Sequence, residues 1–393
     1  LFFDNHTTNG GDWQYVVGLG VATDPTLDPG VAAWSSRMYE AVRARNDQSG
    51  FLTSKYFSLV DPADPGKGIR VGAFGPRFST GFLTALNRPS ILVETHVLKP
   101  YRLRVEATYA VMKHAIEHAI DTGFQLKDLL AKADELERSR GEGAVEVLTV
   151  GDALPPKPFV FKGYEYAPYA SPVSGGMIRK WNREKPIEVA SQLTEDYEPG
   201  LSKVAPAAYA LDRVWTEAIR RLRLGHFEVL TLDDDFEGEF ETHQLEEVRF
   251  PTAPFEGRFQ PSFKAVPIRE KRRLNKGAVV VRTDQVGRKF LMHLMEPDAP
   301  DSFLRWGFFN AVFEQKEYAE PYALEPIAQK MLESDSNLKA EFELRLKDPQ
   351  FAGSASARLE FFYQRSPYYD VRLRKDPVVR LGREHLARMK FKR

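Results

Sequence analysis

His6 follows, after Asp4 and Asn5, the apolar start Leu1-Phe2-Phe3, which reads as a short buried strand over 1–5, and it precedes a run of small polar residues, Thr7-Thr8-Asn9-Gly10-Gly11-Asp12. Glu94 closes a second apolar run, Ile91-Leu92-Val93, and is followed by Thr95-His96. Open α/β sheets place their ligand crevice outside the carboxyl ends of their strands. If both runs are strands of one parallel sheet, His6 and Glu94 open into the same crevice. A neutral imidazole is a good zinc ligand. A carboxylate beside it can take a proton from a water that the metal has acidified. The plainer alternative is that His6 caps a turn and Glu94 pairs with Arg77 or Arg88. One His and one Glu do not separate the two readings.

Several elements must position these residues. Val31, Trp34, Met38 and Val42 recur at helical spacing behind the start signal Asp28-Pro29-Gly30, which predicts a helix over 30–46. Residues 47–88 are rich in Gly, Pro, Asp and Ser and read as a long loop region. Ile91-Leu92-Val93 is too short for a helix and fits an inner parallel strand. Apolar positions at threes and fours predict a helix over 101–121, and a second helix runs over 125–139. Beyond residue 141 strands are expected at 145–150, 159–166, 227–232 and 279–283, and helices at 206–223, 302–316, 320–333 and 336–347. The Pro, Ser and Gly content between 167 and 205 reads as a linker or surface loop.

Composition narrows the function classes. The 393 residues carry 55 basic and 55 acidic side chains, so there is no bulk positive charge for nucleic acid. No apolar run approaches the ~18–20 residues that cross a bilayer. There is no cysteine, which excludes disulfides, thiolate zinc sites and cysteine nucleophiles. Any metal must sit on Asp, Glu or one of eight His.

Longer segments resemble a known family. Arg77-Phe78-Ser79-Thr80-Gly81-Phe82, Asn87-Arg88-Pro89 and Val93-Glu94-Thr95-His96-Val97-Leu98-Lys99-Pro100-Tyr101 are similar to the bacterial branch of the carboxypeptidase A-like zinc carboxypeptidases. The segments Glu296–Asn310 and Phe313–Tyr318 look like that branch's C-terminal part. The resemblance implies a zinc-dependent metallopeptidase that hydrolyses peptide bonds. His6 would be the third zinc ligand, and Glu94 the catalytic base. Arg77 and Phe82 would be substrate-binding residues, Phe82 standing where the family often has a mobile Tyr. It implies an α/β fold: residues 1–140 as the second half of a mixed-sheet catalytic domain, residues 141–393 as an accessory α+β region. The family's His-x-x-Glu zinc motif and its substrate-binding arginines precede the third ligand. The chain therefore reads as starting inside a domain, with the other zinc ligands expected upstream of Leu1. Peptide or protein is the implied partner, and a secreted or periplasmic location is implied by the family. The alternative is a non-catalytic peptide-binding protein on a degenerate peptidase scaffold.

A competing metal motif is His114-Ala115-Ile116-Glu117-His118, the inverzincin pattern on a helix, with Glu195 as third ligand. Its flanks do not resemble that family, and Glu195 falls in a Pro-rich segment. His96 reads as a buried hydrogen-bonded histidine. Ser79 lacks the Gly-x-Ser-x-Gly elbow of serine hydrolases.

Overall fold

Residues 1–315 and 318–392 are described by the computed structural model of this mixed α/β chain. Its first region contains β1 (Phe2–Thr8), β2 (Val17–Val21), α1 (Pro29–Gln48), β3 (Thr53–Lys55), β4 (Ser58–Leu59), β5 (Ile69–Arg70), α2 (Ser79–Ala85), β6 (Ser90–His96) and α3 (Tyr101–Ser139). One sheet has the order β1-β6-β2-β3. β1 runs parallel to β6, while β2 is antiparallel to β6 and parallel to β3.

Strand periodicity divides this sheet into two faces. Val17, Leu19, Ile91 and Val93 point one way and are buried against Trp34, Met38 and Val42 of α1 and Val111 and Ala115 of α3. Asp28 caps α1 by accepting from the Gly30 and Val31 amides, and Pro29 occupies the first turn. The opposite face carries Asp4, His6, Glu94 and His96, with glycines at 18 and 20. The alternation of apolar and polar residues is thus the reason that a core and a polar face share one sheet.

The Leu1-Phe2-Phe3 strand, expected to be buried, is instead an edge strand in which Leu1 and Phe2 are exposed. Only alternate residues of an edge strand reach the core, here Phe3. The two helices expected over 101–139 are one. Gly123 would weaken an isolated helix by about 1 kcal/mol. Packing on both sides of it, by Ala115 and Leu126, carries the helix through. The outer face of α3 leaves Tyr101, Val105, Tyr109, Ile120 and Phe124 exposed.

The next segment holds β7 (Val145–Val147), β8 (Val150–Ala153), β9 (Lys157–Ala170), β10 (Met177–Thr194), β11 (Tyr197–Pro199) and β12 (Ser202–Val204). The linker expected over 167–205 is largely strand. β9 and β10 form a long antiparallel hairpin that joins β4 and β5 in a second sheet. Its strand pattern is masked because the register shifts between Asn182 and Pro186 and because charged residues occupy both faces. Phe161 of β9 enters one core with Tyr15, Phe57 and Ile69, so the hairpin packs onto the first region.

The remaining residues supply β13 (Ala208–Leu211), α4 (Thr216–Leu224), β14 (Val229–Thr231), β15 (Phe236–Arg249), β16 (Ser262–Leu274), β17 (Val279–Arg282), α5 (Arg288–Met295), α6 (Pro321–Ser334), α7 (Ser336–Arg345), α8 (Pro349–Ala352), α9 (Ala355–Tyr363), β18 (Val379–Leu381) and α10 (Arg383–Leu386). Their sheet has the order β14-β17-β13-β18-β15-β16. The helix expected over 206–223 begins as the fully buried strand β13, and only its second half is helical. Over 302–316 there are turns and one short 3-10 turn, because Gly307 adopts φ +69 and Phe303, Leu304 and Phe309 fold inward. Lys316 and Glu317 of that segment lie outside the described residues.

Buried polar contacts tie α3 to α5. Glu137 accepts from the Gly287 amide at 2.7 Å and from Asn87 Nδ2 at 3.1 Å. Arg288, with 0% of its surface exposed, donates to Glu146 at 2.6 Å and 3.1 Å and to the Arg140 carbonyl. Glu146→Gln leaves this guanidinium buried without its counter-charge. It should lower the unfolding free energy by about 3–5 kcal/mol. Glu117→Gln breaks the exposed Arg45 pair and should cost less than about 1 kcal/mol. Urea denaturation of both variants checks this, and equal losses would refute a structural role for the buried pair.

Candidate functional site

Parallel pairing sets His6 directly opposite Glu94, and the antiparallel neighbour sets Gly18 opposite Glu94 on the other side. Paired residues on adjacent strands share a face, so His6, Glu94 and Gly18 form one row across the sheet. The strands continue two residues beyond His6 and Glu94, to Thr8 and His96. The site consequently lies on the open face near the carboxyl end rather than beyond it. Gly18 brings no side chain into the row; a Cβ there would come within 3.4 Å of the Tyr56 backbone.

His6 is half exposed and its Nε2 lies 2.8 Å from Asp4 Oδ1, two residues back on the same face. The other Asp4 oxygen accepts from the Ser79 hydroxyl at the start of α2. Glu94 is 8% exposed, and its Oε2 is buried without a hydrogen-bond partner. Burial pushes the Glu94 carboxyl above its ordinary value, the His6 imidazole pulls it down, and nearby Asp4 raises it.

Glu94 and His96 line a cavity of about 500 Å³. Its walls include Trp13, Tyr56, Phe57, Tyr164, Tyr166, Arg179 and Trp181, drawn from the loop after β1, the chain after β3 and the β9–β10 hairpin. His96 is buried; its Nδ1 accepts from the Leu98 amide at 3.1 Å and its Nε2 donates to the Gly10 carbonyl at 2.8 Å. It thereby fixes the loop that carries Trp13. Arg183 Nε donates to Asp12 at 2.6 Å, and Lys99 Nζ reaches the same carboxylate at 3.2 Å. The register shift in β10 frees Arg183 for this reach and pins the hairpin over the sheet.

Arg77 is placed elsewhere. It pairs with Glu256 at 2.6 Å and lies over the rings of Phe78, Phe255 and Trp306, lining a different cavity. Phe82 packs edge-on against Phe290. Neither lines the Glu94 cavity. Of the competing motif, His118 lies against the Trp34 ring with its Nε2 buried and unpartnered, and the other residues are engaged separately. His114 Nδ1 lies 2.6 Å from Asn46, Glu117 pairs with Arg45, and Glu195 is held by Lys55 and Lys157.

A catalytic zinc uses three protein ligands. His6 offers one imidazole beside Asp4, and among the described residues no three His, Asp or Glu side chains gather as a metal would need. The described residues by themselves do not complete a zinc centre. Comparison with protein-family models, with curated proteins and with solved structures gave no match to this chain.

Sequence reasoning overlooked Asp4, Trp13, Tyr166, Arg179 and Trp181. The parity of Asp4 and His6 on one strand was the available indication for the first. Arg179 and Trp181 had none, because their neighbourhood reads as linker, and Tyr166 closes an expected strand whose partner the sequence does not identify.

The raised Glu94 carboxyl has a definite stability consequence. The folded chain holds this proton to higher pH than the unfolded chain, whose glutamate has the ordinary value of 4.5. Stability therefore falls as pH rises from that value through the raised one, then levels. Glu94→Gln removes the dependence. The variant should be about 1–3 kcal/mol more stable than wild type at about pH 8, with the difference gone near pH 4. Thermal unfolding of both chains across this range checks it. A variant less stable at high pH would show that the charged carboxylate has a stabilising partner.

Proposed function

We propose that this chain is a zinc-dependent metallopeptidase of the carboxypeptidase type, with Glu94 as general base and His6 as one metal donor. The observation that carries the reading is the side-by-side placement of His6 and Glu94, with one Glu94 oxygen unpartnered and the carboxylate facing a cavity. That volume falls within the usual ~300–1,000 Å³ of ligand pockets and suits a short peptide segment. A carboxyl that burial raises from its ordinary value is better matched than a free one to taking a proton. Its Oε2 has no protein partner to compete for a proton, and the same carboxyl can return the proton to the leaving amine. Asp4 would orient His6, as carboxylates orient metal-ligating histidines. The further donors would come from outside the described residues.

One observation favours a second reading, a non-catalytic peptide-binding protein: among the described residues no three-donor set exists. The two readings differ in turnover. With the peptidase reading, Glu94→Gln should lower peptide hydrolysis by ~10²–10⁴ while zinc per chain stays unchanged. His6→Ala should lower zinc content itself. Turnover on a peptide substrate and metal analysis, both made on protein that includes the further donors this reading requires, provide the test. Full turnover in Glu94→Gln would exclude Glu94 as the base. Wild-type protein that includes those donors yet shows neither zinc nor turnover would support the binding protein instead.

A further inference from the structure

A second cavity, of about 290 Å³, lies where the first region meets α5. Its wall is built by the loop 73–78, by α2, by residues 148–150 and by Lys289 and His293 of α5. It shares no lining residue with the Glu94 cavity. Phe78 in this wall is 43% exposed and Lys289 only 8%, so the cavity leads from the surface to a buried amine. The Lys289 Nζ donates to the Thr26 carbonyl, and among the described residues no carboxylate pairs with it. The carboxylates around it are engaged elsewhere: Glu146 by Arg288, Glu137 by the Gly287 amide, Asp28 by the first turn of α1 and Asp24 by Thr26. Within the cavity Arg77 pairs with Glu256, and Asp301 accepts from the Trp306 indole at 3.0 Å and the Arg77 amide at 3.3 Å. Both His293 nitrogens are used, Nε2 accepting from the Asp301 amide at 3.2 Å and Nδ1 donating to the Leu148 carbonyl. Burial holds the Lys289 amine below its ordinary value, while Glu146, Glu137, Asp24 and Asp28 pull it up from a distance.

We propose that Lys289 is a nucleophilic amine that condenses with a small apolar aldehyde entering this cavity. A lysine shielded from water and from counter-charges is activated in this way, because its neutral form carries the reactive lone pair. That lone pair forms a C–N bond to the carbonyl carbon, and the π pair of the C=O bond moves to oxygen. Both amine hydrogens then leave with that oxygen as water, and a C=N bond remains. The step balances without an oxidant, a reductant or an outside proton. Phe74 and Phe78, which meet edge to face at 5.3 Å, line the cavity with Ala85 and Val150 and suit the apolar body of the aldehyde. A neutral amine favours a carbonyl over an anion, whose charge only the protonated form would balance.

Benzaldehyde with sodium cyanoborohydride, which reduces the imine to a stable secondary amine, tests this on the full chain at about pH 7. Peptide mapping by mass spectrometry reads the labelling rate of each lysine. Lys289 should label about 10-fold faster than the exposed Lys127 and Lys180, and its rate should level off at a lower pH than theirs. Val150→Trp narrows the cavity and should slow Lys289 by about 10-fold while leaving the exposed lysines unchanged. Lys289→Met, with folding checked by circular dichroism, should remove the fast label alone. Glu94→Gln should label as wild type does, since the site is independent of the peptidase reading. In urea the preference for Lys289 should vanish. Lys289 labelling no faster than Lys127 in the folded wild-type chain overturns the proposal, whether or not the variants fold. A fast rate that survives in folded Val150→Trp also overturns it, because the amine is then reached by opening of the fold and not through the cavity.

Discussion

The parallel pairing of β1 with β6 is the constraint on which the candidate site depends. Its register places His6 beside Glu94 and Asp4 beside Leu92. A slip of one residue would turn every side chain of β1 to the opposite face. Phe3 would leave the core and His6 would turn toward α3. The apolar positions of β6 and β2 prevent such a slip in their own strands, since Ile91, Val93, Val17 and Leu19 are all nearly inaccessible. For β1, Phe3 on the core side and Asn5, which donates to Met112 of α3, hold the same register. The polar row on the open face therefore follows from the packing of the apolar face.

A second level of construction closes the cavity. The sheet alone would offer Glu94 to open solvent. The β9–β10 hairpin supplies the facing wall, and a buried charge cluster holds it there. Burial alone would raise the Asp12 carboxyl, but Arg183 and Lys99 overcome this and hold it below the ordinary aspartate value. Lys99 also donates to the Trp13 carbonyl at 2.5 Å. Gln14 adds two bonds to hairpin carbonyls, at Gly163 and Ile187. The loop after β1, the turn after β6 and the hairpin are thus joined around one carboxylate. Buried charges of this kind specify geometry more than they add stability.

The junction near Glu137 makes the first region and the later sheet cooperative. Glu137 is at the end of α3, yet it accepts from the residue that opens α5, and Asn87 just ahead of β6 reaches the same carboxylate. Burial raises the Glu137 carboxyl, while the Gly287 amide opposes that. The segment carrying Glu94 is consequently tied at its start to α3 and, through it, to the sheet of the second half.

The residues themselves determined a good part of this protein. A compact apolar triplet foretold β6, and helical apolar spacing foretold α1 and most of α3, because burying one face of a helix leaves a period in the chain. The pair His6 and Glu94 was visible for the same reason: polar residues abutting apolar strands stand out locally. What tertiary structure alone decided lies between distant segments. That β1 pairs with β6 rather than another strand depends on contacts across 88 positions, which no local pattern records. That residues 177–194 form a strand and not a linker depends on a partner strand and on Phe161 finding an aromatic core. The roles of Arg77 and Arg179 were decided in the same way. Two arginines look alike in a sequence, but Arg77 pairs with Glu256 beside another cavity, while Arg179 lies over Tyr166 in the wall of the Glu94 cavity.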